Sequence, residues 1–335
     1  MYPVQQRVEL EDGQQLAFDR LLLATGSSPF FPDITGIDNT DIYSFIKKND
    51  VEEIVQRLGQ GNVEQVIVVG AGLIGLKAAE ALKKRGLQVT VVELADRILN
   101  RILDNESAVM VREHLEAQGI EFKLGTTVEE FLGEDNLQAV RLQSGEQLQA
   151  GLAIIAVGVR PNLIPVAGDF LAIKKGIPVD GNMMTSIEGI YAAGDVAEGY
   201  DMLSGTGGII PIWPSAYNQG LTAGRNMAGA EITYDQGFAR NSIGFFGLSM
   251  ITAGIIEPRD DDQEVLIKSD PETKSYKKVI LEDNRIQGYI LLNQIDRAGI
   301  MTELIRKQED IGQVKDQLLK PDFGLLDLGK KMPAL

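Results

Sequence analysis

The stretch Gly70-Ala71-Gly72-Leu73-Ile74-Gly75 is where residue type and spacing speak most directly of chemistry. It follows the apolar run QVIVV and opens a segment with helical periodicity. Three glycines in this order have separate tasks at a strand-to-helix turn. The first makes the tight turn, the second lets backbone approach a pyrophosphate, and the third lets helix and strand pack closely. The helix N-terminus then offers N–H groups and a positive dipole end to phosphate oxygens. Alone, such a loop is a weak sign. Here a second apolar run, VTVVE, ends in Glu93, 93 − 70 = 23 residues on, where a carboxylate can accept from both ribose hydroxyls. The same carboxylate repels a 2′-phosphate, so NADH is favoured over NADPH, with Arg97 nearby keeping NADPH open. Candidate cofactor-binding residues are therefore Gly70, Gly72, Leu73, Ile74, Gly75 and Glu93. The rival reading is a glycine-rich turn that holds no ligand.

Composition narrows what else the chain can do. Its 335 residues suffice for two or three domains, each with its own core. A formal net charge of −16 argues against nucleic acid, whose phosphates need a Lys/Arg surface. With no Cys there is no disulfide, thiolate ligand or cysteine nucleophile in these residues. No apolar run is long enough to span a membrane, and the polar opening residues carry no secretory signal. A cytoplasmic setting is expected. His114, the only histidine, sits among Arg112, Glu113 and Glu116 and is read as a surface residue. Asp260-Asp261-Asp262 lacks the spacing of a calcium loop and is read as a solvated turn, so no metal site is expected.

Two segments match without a gap. Asp12 to Pro29 reads DGQQLAFDRLLLATGSSP, and Ser144 to Pro161 reads SGEQLQAGLAIIAVGVRP, 144 − 12 = 132 residues later. Each reads as a turn, a short strand and a buried strand ending in A-x-G-x-x-P. The second copy closes the unit that the Gly70 loop opens, 144 − 70 = 74 residues earlier. The same distance back from Asp12 falls before Met1. The first copy is therefore expected to be the tail of a second dinucleotide-binding domain whose front lies outside the chain. That front would include at least one βαβ unit of about 30 residues.

The elements that must position these residues follow from periodicity. Helices are predicted over Val51–Leu58, Leu73–Lys84, Asn105–Ala117 and Pro214–Met227, most of them closed by a glycine. Strands are predicted at Gln65–Val69 and Gln88–Glu93, with short strands from Glu121 to Leu148 and a pair near Ile190. From about Phe238, strand-like runs (Lys278–Leu281, Gly288–Leu292) alternate with helices at Ile300–Lys307 and Val314–Leu319.

A further segment, Thr185-Ser-Ile-Glu-Gly-Ile-Tyr-Ala-Ala-Gly194-Asp195, is an apolar strand ending in Gly-Asp, followed by Trp213-Pro-Ser-Ala-Tyr-Asn-Gln-Gly220. On these residues the chain resembles the FAD-dependent pyridine-nucleotide oxidoreductases. The resemblance implies an α/β fold with two Rossmann-like dinucleotide-binding domains and a small C-terminal α+β domain. The FAD-binding domain would comprise 1–39 and 164–237, without its N-terminal part. The NAD-binding domain would span 40–163 and the C-terminal domain 238–335. It further implies that Asp195, after Gly194, hydrogen-bonds the ribityl chain, and that Ala24-Thr25-Gly26 lies against FAD, with Gly158 at the matching turn of the NAD-binding domain. The helix opening at Trp213, Pro214, Ser215 and Ala216 would aim its positive end at the flavin, stabilising negative charge there.

Asn241-Ser-Ile-Gly-Phe-Phe-Gly247 and Gly288-Tyr-Ile-Leu-Leu-Asn293 resemble the rubredoxin and ferredoxin reductase branch and the flavin part of assimilatory nitrite reductases. The glutathione reductase branch ends in a His-Pro…Glu pair, and this tail has no His. The implied activity is hydride transfer from NADH to FAD, then electron delivery to rubredoxin, ferredoxin or a small-molecule acceptor, with no side chain acting as nucleophile. Two rivals stay open: a coenzyme A disulfide reductase or NADH oxidase whose Cys lies upstream, and a flavin-free NADH-binding subunit. Homo-oligomerisation, or membership of a larger complex, is expected from the sheet edge that the absent front would leave. Relatives usually carry Glu where this chain has Lys77, which either meets the flavin and nicotinamide, pairs with a carboxylate, or is a tolerated helix residue.

Overall fold

The structure is a computed structural model that describes residues 5–163 and 171–329. The expected domain boundary at 164 and the last residues of the C-terminal domain lie outside the described residues. The chain forms two compact units, Met1–Ser28 with Val159–Asn241, and Pro29–Gly158 with Ser242–Leu335.

The larger unit is built on a five-stranded parallel sheet in the order Ile42–Tyr43, Leu152–Ile155, Gln65–Val69, Gln88–Glu93, Ile120–Leu124. Parallel strands are buried on both faces and so read as continuous apolar runs. QVIVV shows this: Val66 and Val68 enter one core cluster, Ile67 and Val69 another. Helices Lys48–Gly59, Leu73–Lys84 and Asn105–Glu116 join these strands, and a three-stranded antiparallel sheet covers 128–149. Asp104 caps the last of these helices through the Ser107 N–H at 3.0 Å.

The C-terminal part is an antiparallel sheet in the order Arg240–Phe245, Leu248–Gly254, Arg285–Leu292, Ser275–Glu282, Glu264–Asp270, with helix Ala298–Lys307 packed on it. The helix expected over Val314–Leu319 is a single 3-10 turn, Lys315–Gln317. Its N–H groups bond three residues back, Gln317 to Val314 at 2.9 Å and Leu318 to Lys315 at 3.1 Å. Beyond it Pro321 disfavours helical backbone at Lys320, and the buried Lys277 ammonium takes the end carbonyls of Leu318 and Lys320, both at 3.3 Å.

This sheet is fastened to the parallel-sheet helices through buried charge. Asp104 accepts from the Tyr276 hydroxyl at 2.6 Å and from Lys278 at 3.0 Å. Glu80 accepts from Lys77 (2.6 Å), Lys84 (2.8 Å) and the Phe246 N–H (2.8 Å). Lys77 and Lys84 also lie over the rings of Phe245 and Phe246, each 5.2 Å from the centroid. His114 is no free surface residue. Its Nε2 donates to the Phe245 carbonyl at 3.0 Å, and its Nδ1 accepts from Lys274 at 3.3 Å.

In the smaller unit the repeat is visible as backbone. Strands at 15–17, 21–23 and 27–29 recur at 147–149, 152–155 and 159–161. The likeness extends upstream, where Arg7–Glu9 pairs with Gln15–Ala17 in the register that Ala139–Arg141 keeps with Gln147–Gln149. Leu21–Leu23 pairs in parallel with Ile190–Ala192, as Leu152–Ile155 does with Gln65–Val69. Helix Trp213–Met227 completes the unit.

Glu80 makes a pH test. Burial alone would raise its pKa, but the three donors outweigh burial and hold the carboxyl down to about 2, against an ordinary 4.5. Its stabilisation is therefore complete above pH 4.5 and lost as pH falls towards 2. Glu80→Gln should cost on the order of 2 kcal/mol at pH 7, discounted for the exposed lysine partners. Urea unfolding of both proteins at pH 7 and pH 3 checks this. The gap should shrink at the lower pH, and a gap that does not change with pH contradicts it.

Candidate functional site

In the larger unit the chain moves from Gln65–Val69 to one side of the sheet, through Gln88–Glu93 and Ile120–Leu124, then returns to the other side as Leu152–Ile155. The carboxyl ends of Gln65–Val69 and Leu152–Ile155 thus flank a topological switch point, where open α/β sheets bind ligands. Gly70 sits there at φ +107°, and a Cβ on it would lie 2.4 Å from the Ala156 carbonyl oxygen. A Cβ on Gly75 would lie 2.0 Å from the Gly70 oxygen. Both positions are closed to any side chain. Gly72 differs: its φ is −79°, and a Cβ there would meet nothing within 4 Å. Its smallness serves no neighbour in the fold and leaves an open approach to the backbone.

The helix opening at Leu73 has no side-chain cap and no acidic residue in its first turn. Its first N–H groups have no intrahelical partners. The Glu93 carboxylate accepts from the Ala71 N–H at 2.7 Å and the Ala95 N–H at 2.9 Å. Leu99 N–H donates to the Ala71 carbonyl at 2.9 Å. Ala71 is thereby gripped on both sides. Ile74 in the first turn of the helix and Leu94 and Val157 on loops expose apolar surface at this edge, Leu94 with 67 % accessibility, while Leu73 is half-buried. Gly158 follows at φ +124° with open space around it. Arg97 donates to Asn105 at 2.7 Å. Lys77 pairs with the Glu80 carboxylate and donates to the Gly244 carbonyl at 2.6 Å. An adenosine pyrophosphate fits this cradle: open backbone, an uncapped helix start, a fixed carboxylate and apolar flanks.

In the smaller unit Ala24-Thr25-Gly26 forms the turn after Leu21–Leu23. Thr25 Oγ1 donates to the Asn162 carbonyl at 2.6 Å, and Ser27 Oγ donates to Asp195 at 2.7 Å. Asp195 stands in the 3-10 turn Gly194–Val196, and the Gly194 N–H donates to Gln219 at 2.8 Å. Helix Trp213–Met227 starts without a side-chain cap, with Pro214 in its first turn, Ser215 buried and Ala216 3.5 Å from where a Cβ on Gly194 would sit. Trp213 is 87 % exposed. Thr25, Ser27, Asp195 and this helix are thus parts of one unit. Asn162, Ser27 and Gln219 were not singled out from the sequence. The available signal was a departure between the repeats, in which Thr25 and Ser27 stand where the second copy has Val157 and Val159. Among the described residues no His, Asp or Glu group could hold a metal ion, and no helix is long and apolar enough to cross a membrane.

Residues 2–220 match the family described as pyridine nucleotide-disulphide oxidoreductase, and 241–309 match the rubredoxin NAD+ reductase C-terminal domain. The chain belongs to the pyridine nucleotide-disulphide oxidoreductases. It is 30% identical to a nitrite reductase [NAD(P)H] of Bacillus subtilis over 91% of its length, spanning 37% of that protein. It is 31% identical to the NADH-dependent phenylglyoxylate dehydrogenase subunit epsilon of Aromatoleum evansii, covering 93% of this chain and 74% of that one. Among solved structures, an NAD-dependent persulfide reductase from A. fulgidus aligns with a TM-score of 0.86 at 27% identity, over 93% of this chain and 62% of that one. The mixed α/β fold, with Rossmann-like domains and a C-terminal domain, is the fold of this family.

The glycines of the family loop can be separated by experiment. Gly72→Ala should leave thermal stability within about 0.5 kcal/mol, since space and φ both admit a methyl. It should nonetheless weaken dinucleotide binding at least about tenfold by blocking the backbone approach. Gly75→Ala should cost about 3 kcal/mol or more in stability. Calorimetry with NADH titration reads both, and equal effects of the two variants would refute the distinction.

Proposed function

We propose that the chain is the NADH-binding and flavin-binding part of an NADH:acceptor oxidoreductase. FAD would be held by 1–39 and 164–237, NADH by 40–163, and the interface to further partners would be supplied by 238–335. The observation that carries this reading is the pairing, in one unit, of an open Gly72 with a Glu93 carboxylate already fixed at the sheet's carboxyl edge. The polar set Thr25, Ser27 and Asp195 beside an uncapped helix start supports the flavin half.

Gly70, Gly72 and the start of helix Leu73–Lys84 receive the pyrophosphate, and Leu73 and Ile74 lie at that start. Glu93 accepts from the ribose hydroxyls and repels a 2′-phosphate, so NADH is preferred over NADPH. Gly158 lies across the switch point from Gly70. In the other unit Ala24, Thr25, Gly26, Gly194 and Asp195 hold the ribityl region. The helix start at Trp213, Pro214, Ser215 and Ala216 stabilises negative charge. With both cofactors bound, the chemistry they supply is transfer of hydride from nicotinamide C4 to flavin N5 and release of electrons to an acceptor. The protein contributes orientation and electrostatics, with no nucleophilic side chain. Lys77 serves Glu80 and the Gly244 carbonyl rather than this chemistry.

A small electron-transfer protein such as rubredoxin or ferredoxin is the proposed acceptor, supported by the match of 241–309. Membership of a larger assembly is supported by the likeness to a protein named as a subunit. The likeness to a persulfide reductase favours a second reading, a coenzyme A disulfide or persulfide reductase, which needs a cysteine these 335 residues do not contain.

Two measurements test the reading. Protein from its native source should show a flavin spectrum that bleaches on anaerobic addition of NADH; a colourless protein would instead indicate a flavin-free NADH-binding subunit. Glu93→Gln should weaken NADH binding by about 1–3 kcal/mol, the cost of unmaking charge-assisted hydrogen bonds, and narrow the gap to NADPH. An unchanged NADH/NADPH ratio refutes the role given to Glu93.

A further inference from the structure

Helix Trp213–Met227 is turned inside out. The side chains it buries are Ser215, Gln219, Thr222 and Asn226, with Ala223 among them. Their polarity is used within the fold. Gln219 accepts from the Gly194 N–H at 2.8 Å, and Asn226 donates to the carbonyls of Asn182 and Ile232 at 2.9 and 2.8 Å. The opposite face carries Trp213, Tyr217 and Leu221, spaced four residues apart and exposed by 87, 66 and 40 %. A helix on the surface of a domain ordinarily has the reverse pattern, apolar inward and polar outward. Exposed apolar residues scattered singly are common, but a stripe of them along one helix marks a surface that something covers.

Charge and shape point to what covers it. The chain has 48 Asp and Glu and a net charge of −16, yet residues 202–230 hold no carboxylate and a single cation, Arg225. Two copies of so acidic a chain repel over most of their surface, and this segment lets them meet without like charges opposed. Gly220 and Gly224 lie beside the stripe, and a Cβ on either would meet nothing within 4 Å. Glycine weakens a helix interior, and no neighbour in the fold requires it at these two positions. A second helix does. When the helix is laid antiparallel on its own copy, crossing between Gly220 and Leu221, Tyr217 of each falls over Gly224 of the other and Trp213 over Ala228. The two Leu221 then meet across the axis. Large residues thus face small ones, with the self-complementarity that a two-fold contact demands. Arg225 comes beside the Tyr217 ring of the second copy, where a cation is attracted. At about 150–250 Å² for each buried aromatic, the four aromatics and two leucines bring the contact to the order of 1,000 Å², the lower bound for a specific interface.

We propose that this face is the contact between two copies of the chain, a two-fold dimer whose Trp213–Met227 helices pack antiparallel across Gly220 and Gly224.

The test uses the native, full-length protein, with its mass followed by sedimentation over a range of concentrations and its folding by far-UV circular dichroism. The native protein should pass from monomer to dimer as concentration rises. Tyr217→Glu sets a carboxylate in the contact and should weaken self-association at least about tenfold, while Tyr217→Phe keeps the ring and should stay within about threefold. Both side chains stand on the exposed face, so the spectrum should hold. Leu221→Cys should close a disulfide under mild oxidation, found by peptide mass spectrometry to join position 221 of one copy to position 221 of the other; this link decides the matter if Tyr217→Glu disturbs folding. A dimer that is indifferent to Tyr217→Glu and forms no such link overturns the proposal. So does a protein that stays monomeric, whether another stretch of the native polypeptide then covers this face or none does. A complex in which a different protein occupies the face in place of a second copy overturns it as well.

Discussion

The contact on which the larger unit depends is the approach of the Gly75 Cα to the Gly70 carbonyl, so close that a Cβ would stand 2.0 Å from the oxygen. It lets helix Leu73–Lys84 start directly at the end of strand Gln65–Val69 rather than after a longer loop. Gly70 faces the same limit on its other side, against the Ala156 carbonyl of the neighbouring strand. Helix, first strand and last strand are therefore locked together at their carboxyl edge by backbone alone. Everything that could meet a dinucleotide hangs from that edge: Gly72, Glu93, Leu94 and Gly158.

A second set of constraints ties the antiparallel C-terminal sheet to the same helices. Asp104 caps helix Asn105–Glu116 and also takes Tyr276 and Lys278 from the sheet. Burial works against its ionisation, yet the bonds from Ser107, Tyr276 and Lys278 prevail and keep the carboxyl below its ordinary range. Glu80 does the same for helix Leu73–Lys84 and Phe246. Buried charges add little net stability against apolar replacements but tolerate no loss of a partner. Two carboxylates that each bind donors from both helix and sheet thus fix how those parts pack. Apolar contacts across the shared core, such as Phe245, Leu248 and Met250 with the parallel-sheet residues, supply most of the energy.

What the sequence revealed follows from how local the physics is. QVIVV declared itself as a buried strand because burial on both faces leaves Val66 to Val69 wholly apolar, and VTVVE did so with Thr90 and Glu93 as its only polar positions. The glycine loop, Glu93 and the repeat were legible because turn and ligand chemistry act over a few residues. Lys77 was legible in part. Pairing with a carboxylate was one of its open readings and Glu80 lies one helical turn on, but Gly244 is 167 residues away, and only the fold brings it into reach. His114 was misread for the same reason, since its helix neighbours are charged but its partners Phe245 and Lys274 belong to the C-terminal sheet. The Val314–Leu319 segment has helical periodicity, yet its N–H groups bond three residues back rather than four, Gln317 to Val314 and Leu318 to Lys315, and its end carbonyls go to Lys277 on a distant strand. Asn162 lay just past the matched segment, and only the fold brings its carbonyl to the Thr25 hydroxyl, 137 residues away.

Glu93 shows how the fold and a ligand can share one group. Each of its oxygens accepts one backbone N–H, from Ala71 and from Ala95, while a carboxylate has about four acceptor sites in all. The bonds already made hold the side chain and the glycine loop in one arrangement, and those left over can take ribose hydroxyls without moving either. Binding then carries little cost of ordering, which is what favours a preorganised site over a flexible one. The arrangement also limits substitution. Aspartate is one methylene shorter and would have to give up a backbone donor or the ribose. Glutamine must turn its NH2 towards one of two N–H groups that can only donate. In the role proposed for Glu93, selection between a free 2′-hydroxyl and a 2′-phosphate would rest on the same carboxylate that keeps the loop in shape, and the one could not be altered without loosening the other.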